Sequence, residues 1–197
     1  MHTRRIHLDG FMRDDGLMDV EAHLVDAKPY AFETIDRGAI TPGTPLHEMR
    51  VRITVDAGMT IVAAEAVTGH GPFFTCGGGA ASFSKLVGLT IRAGFMRAAN
   101  APLTGVQGCT HIREMLQQIA TVALQTMWPV RARQEEEAAG NPSGGDLSEA
   151  DGSARLIDTC HAYSSAGAVV RRRWPHLYTG TGTDGAAGQG EPGVLVA

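Results

Sequence analysis

Met49-Arg50-Val51-Arg52-Ile53-Thr54-Val55-Asp56 is the run that decides the fold class, because apolar and polar residues alternate through its whole length. A period of two puts Met49, Val51, Ile53 and Val55 on one face of a strand and Arg50, Arg52, Thr54 and Asp56 on the other. Ala57-Gly58 is the predicted turn, and residues 60–67 supply an antiparallel return strand. Further along the chain the period changes. Ile112, Met115, Leu116, Ile119, Ala123 and Met127 recur at helical spacing, while Arg113, Glu114, Gln117, Gln118 and Thr121 take the opposite side. The two patterns together predict an α+β fold, an antiparallel sheet packed against helices, with a long helix near residues 111–128.

Before the hairpin, residues 17–24 read as a strand that ends towards Pro29, since proline interrupts ladder pairing. Residues 1–16 are polar and carry the turn signal Asp14-Asp15-Gly16. Residues 38–45, with two glycines and two prolines, read as a loop. After the hairpin, residues 70–79 form a small-residue segment, followed by two short helices over 80–87 and 90–99. These should turn Phe83, Leu86, Val87, Ile91, Phe95 and Met96 towards the sheet. Past Pro129 the helical pattern fails. The resulting organisation is a main α+β domain over residues 1–134, a flexible linker over 135–153, a segment over 154–179 that docks back on the main domain, and a disordered tail over 180–197.

A chain of 197 residues suits one domain with an appendage. Its net charge of −4 comes with no Lys/Arg-rich stripe, which excludes nucleic acid as the default partner. Arg171-Arg172-Arg173 is too short a run to change this and reads as a solvated strand end or the partner of a local acidic group. No apolar run reaches membrane-spanning length and the first residues lack the apolar segment of a signal peptide, so the expected setting is cytoplasmic, without membrane contact. The three cysteines, Cys76, Cys109 and Cys160, do not form a disulfide framework. Oligomeric state is left open.

The chemistry concentrates at the helix entry. Gly108 permits a tight approach, Thr110 is the expected N-cap, and Cys109 falls beside unpaired backbone donors that favour a thiolate. Cys76 lies in a loop before helices, as Cys109 does, and His47 immediately precedes the Met49 strand. Residues two apart do not share a helix face, so Cys109 and His111 converge only if Cys109 is in the approach loop. The candidate metal ligands are therefore Cys76, Cys109, His47 and His111, a set that four-coordinate zinc accepts, with Cys76 the expected partner of Cys109 across the fold. The compact Cys-x-x-Cys spacing is absent.

A metal-free use of the same groups is a lyase, isomerase or hydrolase acting on a small organic substrate. In it Cys109 is the nucleophile with His111 or His47 as base, or the histidines shuttle protons with Asp26 and Lys28. Asp26 and Lys28 can point the same way from an extended segment and pair. A third reading is a structural or partner-binding protein whose cysteines are packed; Cys160, beside His161, is expected to be structural. No phosphate loop, dinucleotide fingerprint or nucleophile elbow is present.

Arg13-Asp14-Asp15-Gly16-Leu17, Asp26-Ala27-Lys28, His47-Glu48-Met49, Ile53-Thr54-Val55-Asp56, Cys76, Leu89-Thr90-Ile91 and Gly108-Cys109-Thr110-His111 together resemble the bacterial family known as domain of unknown function 2889. The resemblance runs from about Arg13 to Trp128 and weakly into residues 160–178. Met18 and Phe95 stand where that family would carry tryptophan. The order hairpin, cysteine loop, short helices, cysteine, long helix is also similar to the iron–sulfur scaffold superfamily. That likeness implies a metal or nascent iron–sulfur cluster between Cys76 and Cys109, with His47 in the region of the first scaffold cysteine, which has no counterpart here. That departure makes zinc, or a changed function, fit better than faithful cluster assembly.

Overall fold

The computed structural model describes residues 1–138, 154 and 156–181. Much of the expected linker and nearly all of the expected tail fall outside these residues. The chain divides into two compact units, Met1–Arg131 and Ala132–Ala197.

The first unit is built on a four-stranded antiparallel sheet of β1 (Thr3–Met12), β2 (Met18–Ala27), β5 (Pro45–Val55) and β6 (Ile61–His70), in the order β1-β2-β5-β6. Between β2 and β5 the chain makes a small hairpin of β3 (Phe32–Thr34) and β4 (Gly38–Ile40). The expected alternation holds in β5, where Met49, Val51, Ile53 and Val55 are all buried. In β2 the buried row is Met18, Val20, Ala22 and Leu24, and the register sets Leu24 opposite Met49 and Val20 opposite Ile53. One face of the sheet therefore carries a continuous apolar row, as an antiparallel sheet packed on one side requires.

That face is covered by α1 (Gly78–Ala81), α2 (Phe95–Asn100) and the long α3 (Thr110–Ala138), joined by 3-10 turns at Phe74–Gly77, Ser82–Leu86, Ala101–Leu103 and Gly105–Gln107. Ile112, Met115, Leu116, Ile119, Ala123 and Met127, the stripe anticipated from spacing, are all buried in one cluster with the inner residues of β2 and β5. Phe83, Leu86, Ile91 and Phe95 join them and Met96 packs at the margin, whereas Val87 is 48 % exposed. The helical turn ends at Val87, where the backbone becomes extended.

Four further expectations are corrected. Residues 3–12 are a strand, because Ile6 and Leu8 alternate with His7 and Asp9 and pack against the core cluster. The 38–45 segment is not wholly loop, since it holds β4. The helix does not stop at Pro129 but continues to Ala138; the ring removes one i→i−4 bond, and Arg131 Nη2 donates to the Ala57 carbonyl at 2.7 Å, tethering the next turn to the β5–β6 connection. Thr110 is the first helical residue and not the cap. The Cys109 carbonyl accepts the Arg113 N–H at 3.0 Å, so Cys109 occupies the capping position.

The second unit contains α4 (Ala168–Arg173) and 3-10 turns at His161–Tyr163 and Pro175–Leu177. The Tyr163 and Trp174 rings lie tilted with centroids 5.9 Å apart, and the Arg173 guanidinium lies 4.7 Å from the Trp174 ring. The arginine run thus ends a short helix and not a strand. Cys160 is exposed, which corrects its expected structural role.

Candidate metal centre

The register of the sheet builds the site. Asp26 sits opposite Arg4 on β1 and opposite His47 on β5. Counting by twos, Arg4 follows Leu8 and Ile6, Asp26 follows Ala22 and Leu24, and His47 precedes Met49 and Val51. The three polar residues are therefore the last rung of the core-facing rows. A β-bulge between Asp26 and Ala27 ends the pairing just beyond them.

The start of α3 closes over this rung. His111 lies one residue into the helix and its ring stacks on that of His47, with centroids 3.8 Å apart. Its Nε2 is 3.6 Å from Asp26 Oδ2, and His47 Nδ1 is 3.1 Å from the same oxygen. On the other side of the imidazole, Nδ1 of His111 is 3.8 Å from Cys109 Sγ. Cys109 can come this close because Gly79 packs on it; a Cβ at residue 79 would stand 3.0 Å from the Cys109 Cβ.

Asp26 is fully buried, yet it remains ionised. Burial alone pushes its carboxyl up, but Arg4 donates Nε–H to Oδ1 at 2.7 Å and Nη2–H to Oδ2 at 2.8 Å, and this charged fork brings the pKa down to about 2. Arg4 extends the connection to α3 through Nη1 and Glu114 Oε2, 2.5 Å apart. His2 Nε2 approaches Asp26 Oδ1 at 3.3 Å. His47 and His111 are both held below the ordinary histidine value. Desolvation is the main cause in each case; His111 adds to it for His47, and the Arg4 charge adds to it for His111. Two neutral imidazoles and one carboxylate thus converge, which is a donor set for a divalent cation.

Among the described residues, Asp26, His47 and His111 form the group whose ligand atoms all lie within 4.8 Å of one another. Neither anticipated cysteine joins it. Cys109 stays one step back, against the far nitrogen of His111. Cys76 lies half-buried in the Phe74–Gly77 turn, where its side chain packs towards Gly71. Lys28 does not pair with Asp26: its ammonium lies 4.6 Å from the Phe32 ring centroid and 5.5 Å from that of Tyr30. Arg4, Glu114 and His2 were absent from the sequence-derived set. The parity of Arg4 with Ile6 and Leu8, and the i+3 spacing from His111 to Glu114, are the signals that place the first two.

On the outer face of the sheet Glu48 receives His23 Nε2 at 2.9 Å and His70 Nδ1 at 2.7 Å. Hydrogen bonds from His70, His23 and Arg50 hold its carboxyl down at about 2. The two histidines approach from β2 and β6, on opposite sides of β5.

No helix among the described residues is long and apolar enough to cross a membrane. No curated protein and no solved structure matches the chain. The family described as Protein of unknown function (DUF2889) matches residues 2–125, which hold the sheet, the His111 end of α3 and every member of the Asp26 cluster, and the chain belongs to that family.

Proposed function

We propose that the protein binds a divalent transition-metal ion, zinc, through Asp26, His47 and His111, and presents an open coordination position to a small molecule. The spacing of the donors carries this reading. A tetrahedral zinc about 2.1 Å from each donor separates donors by about 3.4 Å. The distances from Asp26 Oδ2 to His47 Nδ1 and to His111 Nε2, 3.1 and 3.6 Å, lie on either side of that value. The set is nitrogen and oxygen, which suits zinc and lacks the thiolates an iron–sulfur cluster needs. Three protein ligands leave room for water or substrate, as in catalytic more than structural zinc sites. Cys109, by accepting from His111 Nδ1–H, fixes the tautomer that turns Nε2 to the metal.

Calorimetric zinc titration of the metal-free protein tests this. About one equivalent should bind, with His47→Ala and His111→Ala each weakening affinity at least about tenfold and Cys76→Ser leaving it unchanged. Equal binding by all four proteins would remove the basis for the site.

One observation favours a second reading, a cofactor-independent hydrolase. Cys109 Sγ, His111 and Asp26 run in sequence as thiol, imidazole and carboxylate, at 3.8 and 3.6 Å. Iodoacetamide alkylation separates the two. A nucleophilic Cys109 reacts quickly near neutral pH and slows strongly in His111→Ala, whereas a tautomer-fixing thiol reacts no faster than an ordinary one.

A further inference from the structure

Asp26 has no acceptor capacity left. A carboxylate offers about four lone-pair directions, and Arg4 Nε, Arg4 Nη2, His2 Nε2 and His47 Nδ1 lie at 2.7, 2.8, 3.3 and 3.1 Å from its two oxygens. A cation that takes Asp26 Oδ2 must displace a donor from it. His47 can yield without leaving, because its nitrogen becomes a ligand. The other donor on Oδ2 is Arg4 Nη2, which carries a full positive charge into direct contact with the ligand oxygen. Arg4 also has a second acceptor in hand: Nη1 is 2.5 Å from Glu114 Oε2, on the α3 surface. Both side chains are partly exposed, at 36 % and 50 %, so the guanidinium can pivot without being dragged through packed core.

We propose that Arg4 is a built-in competitor for the metal, holding Asp26 in the metal-free protein and moving its charge onto Glu114 when the cation enters. This rests on the metal-binding reading of Asp26, His47 and His111. Arg4 is on this view a positioning residue: it keeps Asp26 ionised and aimed while the site is empty, and it sets how much cation is needed to fill it. Repulsion between a guanidinium and a divalent ion a few ångströms apart in a partly desolvated site outweighs the loss of pre-positioning when the arginine is removed. Glu114 acts only through Arg4, by giving the displaced charge a partner.

Zinc titration of the full chain tests the proposal with Arg4→Gln, Arg4→Lys, Glu114→Gln and the Arg4→Gln/Glu114→Gln double variant, each shown by circular dichroism to be folded. Arg4→Gln keeps a donor for Asp26 without the charge and should bind zinc about tenfold more tightly than wild type or better. Arg4→Lys keeps the charge and should stay within about threefold of wild type. Glu114→Gln should bind more weakly, and should have no such effect once Arg4 is glutamine. Wild-type binding that depends on His111, combined with no tightening in Arg4→Gln, overturns the competition and leaves the metal site standing. An equal penalty from Glu114→Gln in both backgrounds also overturns it. Absence of saturable binding in both wild type and Arg4→Gln overturns the competition together with the metal-binding reading.

Discussion

Asp26 is a buried carboxylate whose ionisation depends on its neighbours, so its contribution is visible in the pH dependence of stability. Its pKa, about 2 in the folded protein, lies below the unfolded value of about 3.9, so the unfolded state binds more protons between them. Its stabilisation, on the order of 2 kcal/mol, is present above pH 4 and lost as pH falls towards 2. His47 and His111 are also held below their ordinary value, so the unfolded chain again binds protons more readily, and stability falls as pH drops below about 6.5. Urea unfolding of the metal-free protein between pH 7 and 2 should show both declines. Asp26→Asn should flatten the lower one, and an alanine at position 47 or 111 the upper. A steeper acid decline in Asp26→Asn would contradict the assignment. Residue type and position mark His47 and His111 as metal candidates and Asp26, beside Lys28, as a proton-shuttling acid, but the sequence does not bring the three together. Cys76 lies outside the Asp26 group: thiol chemistry is apparent from residue type, while a glycine-rich turn carries no periodicity to say where the side chain points. Arg4 was hidden for the opposite reason: long cationic side chains are expected on surfaces, and its buried partner became apparent only with the register.

β1 and α3 both contribute to the site, through Arg4 at one end of the strand and His111 at the start of the helix. They pack together at Gly10, where a Cβ would collide with the Thr126 side chain and stand 3.1 Å from Val122 Cγ1. Gly10→Ala is expected to destabilise the protein by about 1–3 kcal/mol through overpacking, and Thr126→Ala in the same chain should recover part of the loss. Additive effects in the urea double-mutant cycle would mean the two residues do not touch. The interior of α3 should respond differently: Leu116→Ala or Ile119→Ala, each fully buried, should cost about 2–5 kcal/mol. The helix stripe and the β5 alternation were legible because burial on one face enforces a clean period. β1 was not, because an edge strand with one solvated face and two arginines at its start looks like polar coil, and Ile6 and Leu8 alone make a weak alternation. The apolar period fails past Pro129, yet the helix runs on because the buried stripe reaches Met127 and Arg131 secures the following turn.

For the molecule as a whole, the core cluster and the candidate Asp26–His47–His111 group both fall within Met1–Arg131. A chain ended after Arg131 is therefore expected to fold cooperatively and to take up zinc with the affinity of the full protein. Loss of zinc binding in a folded truncated chain would assign residues after 131 a part in the site. Zinc at a hundred times its dissociation constant should stabilise either form by about 2.7 kcal/mol, provided the unfolded chain does not bind it. The most direct measurement is an anomalous difference map from crystals of the zinc-loaded protein. The expected result is a single strong peak about 2.0–2.2 Å from an Asp26 oxygen and from a ring nitrogen of each of His47 and His111. A peak bound instead by Cys76 and Cys109, or no peak at this rung of the sheet, would contradict the assignment.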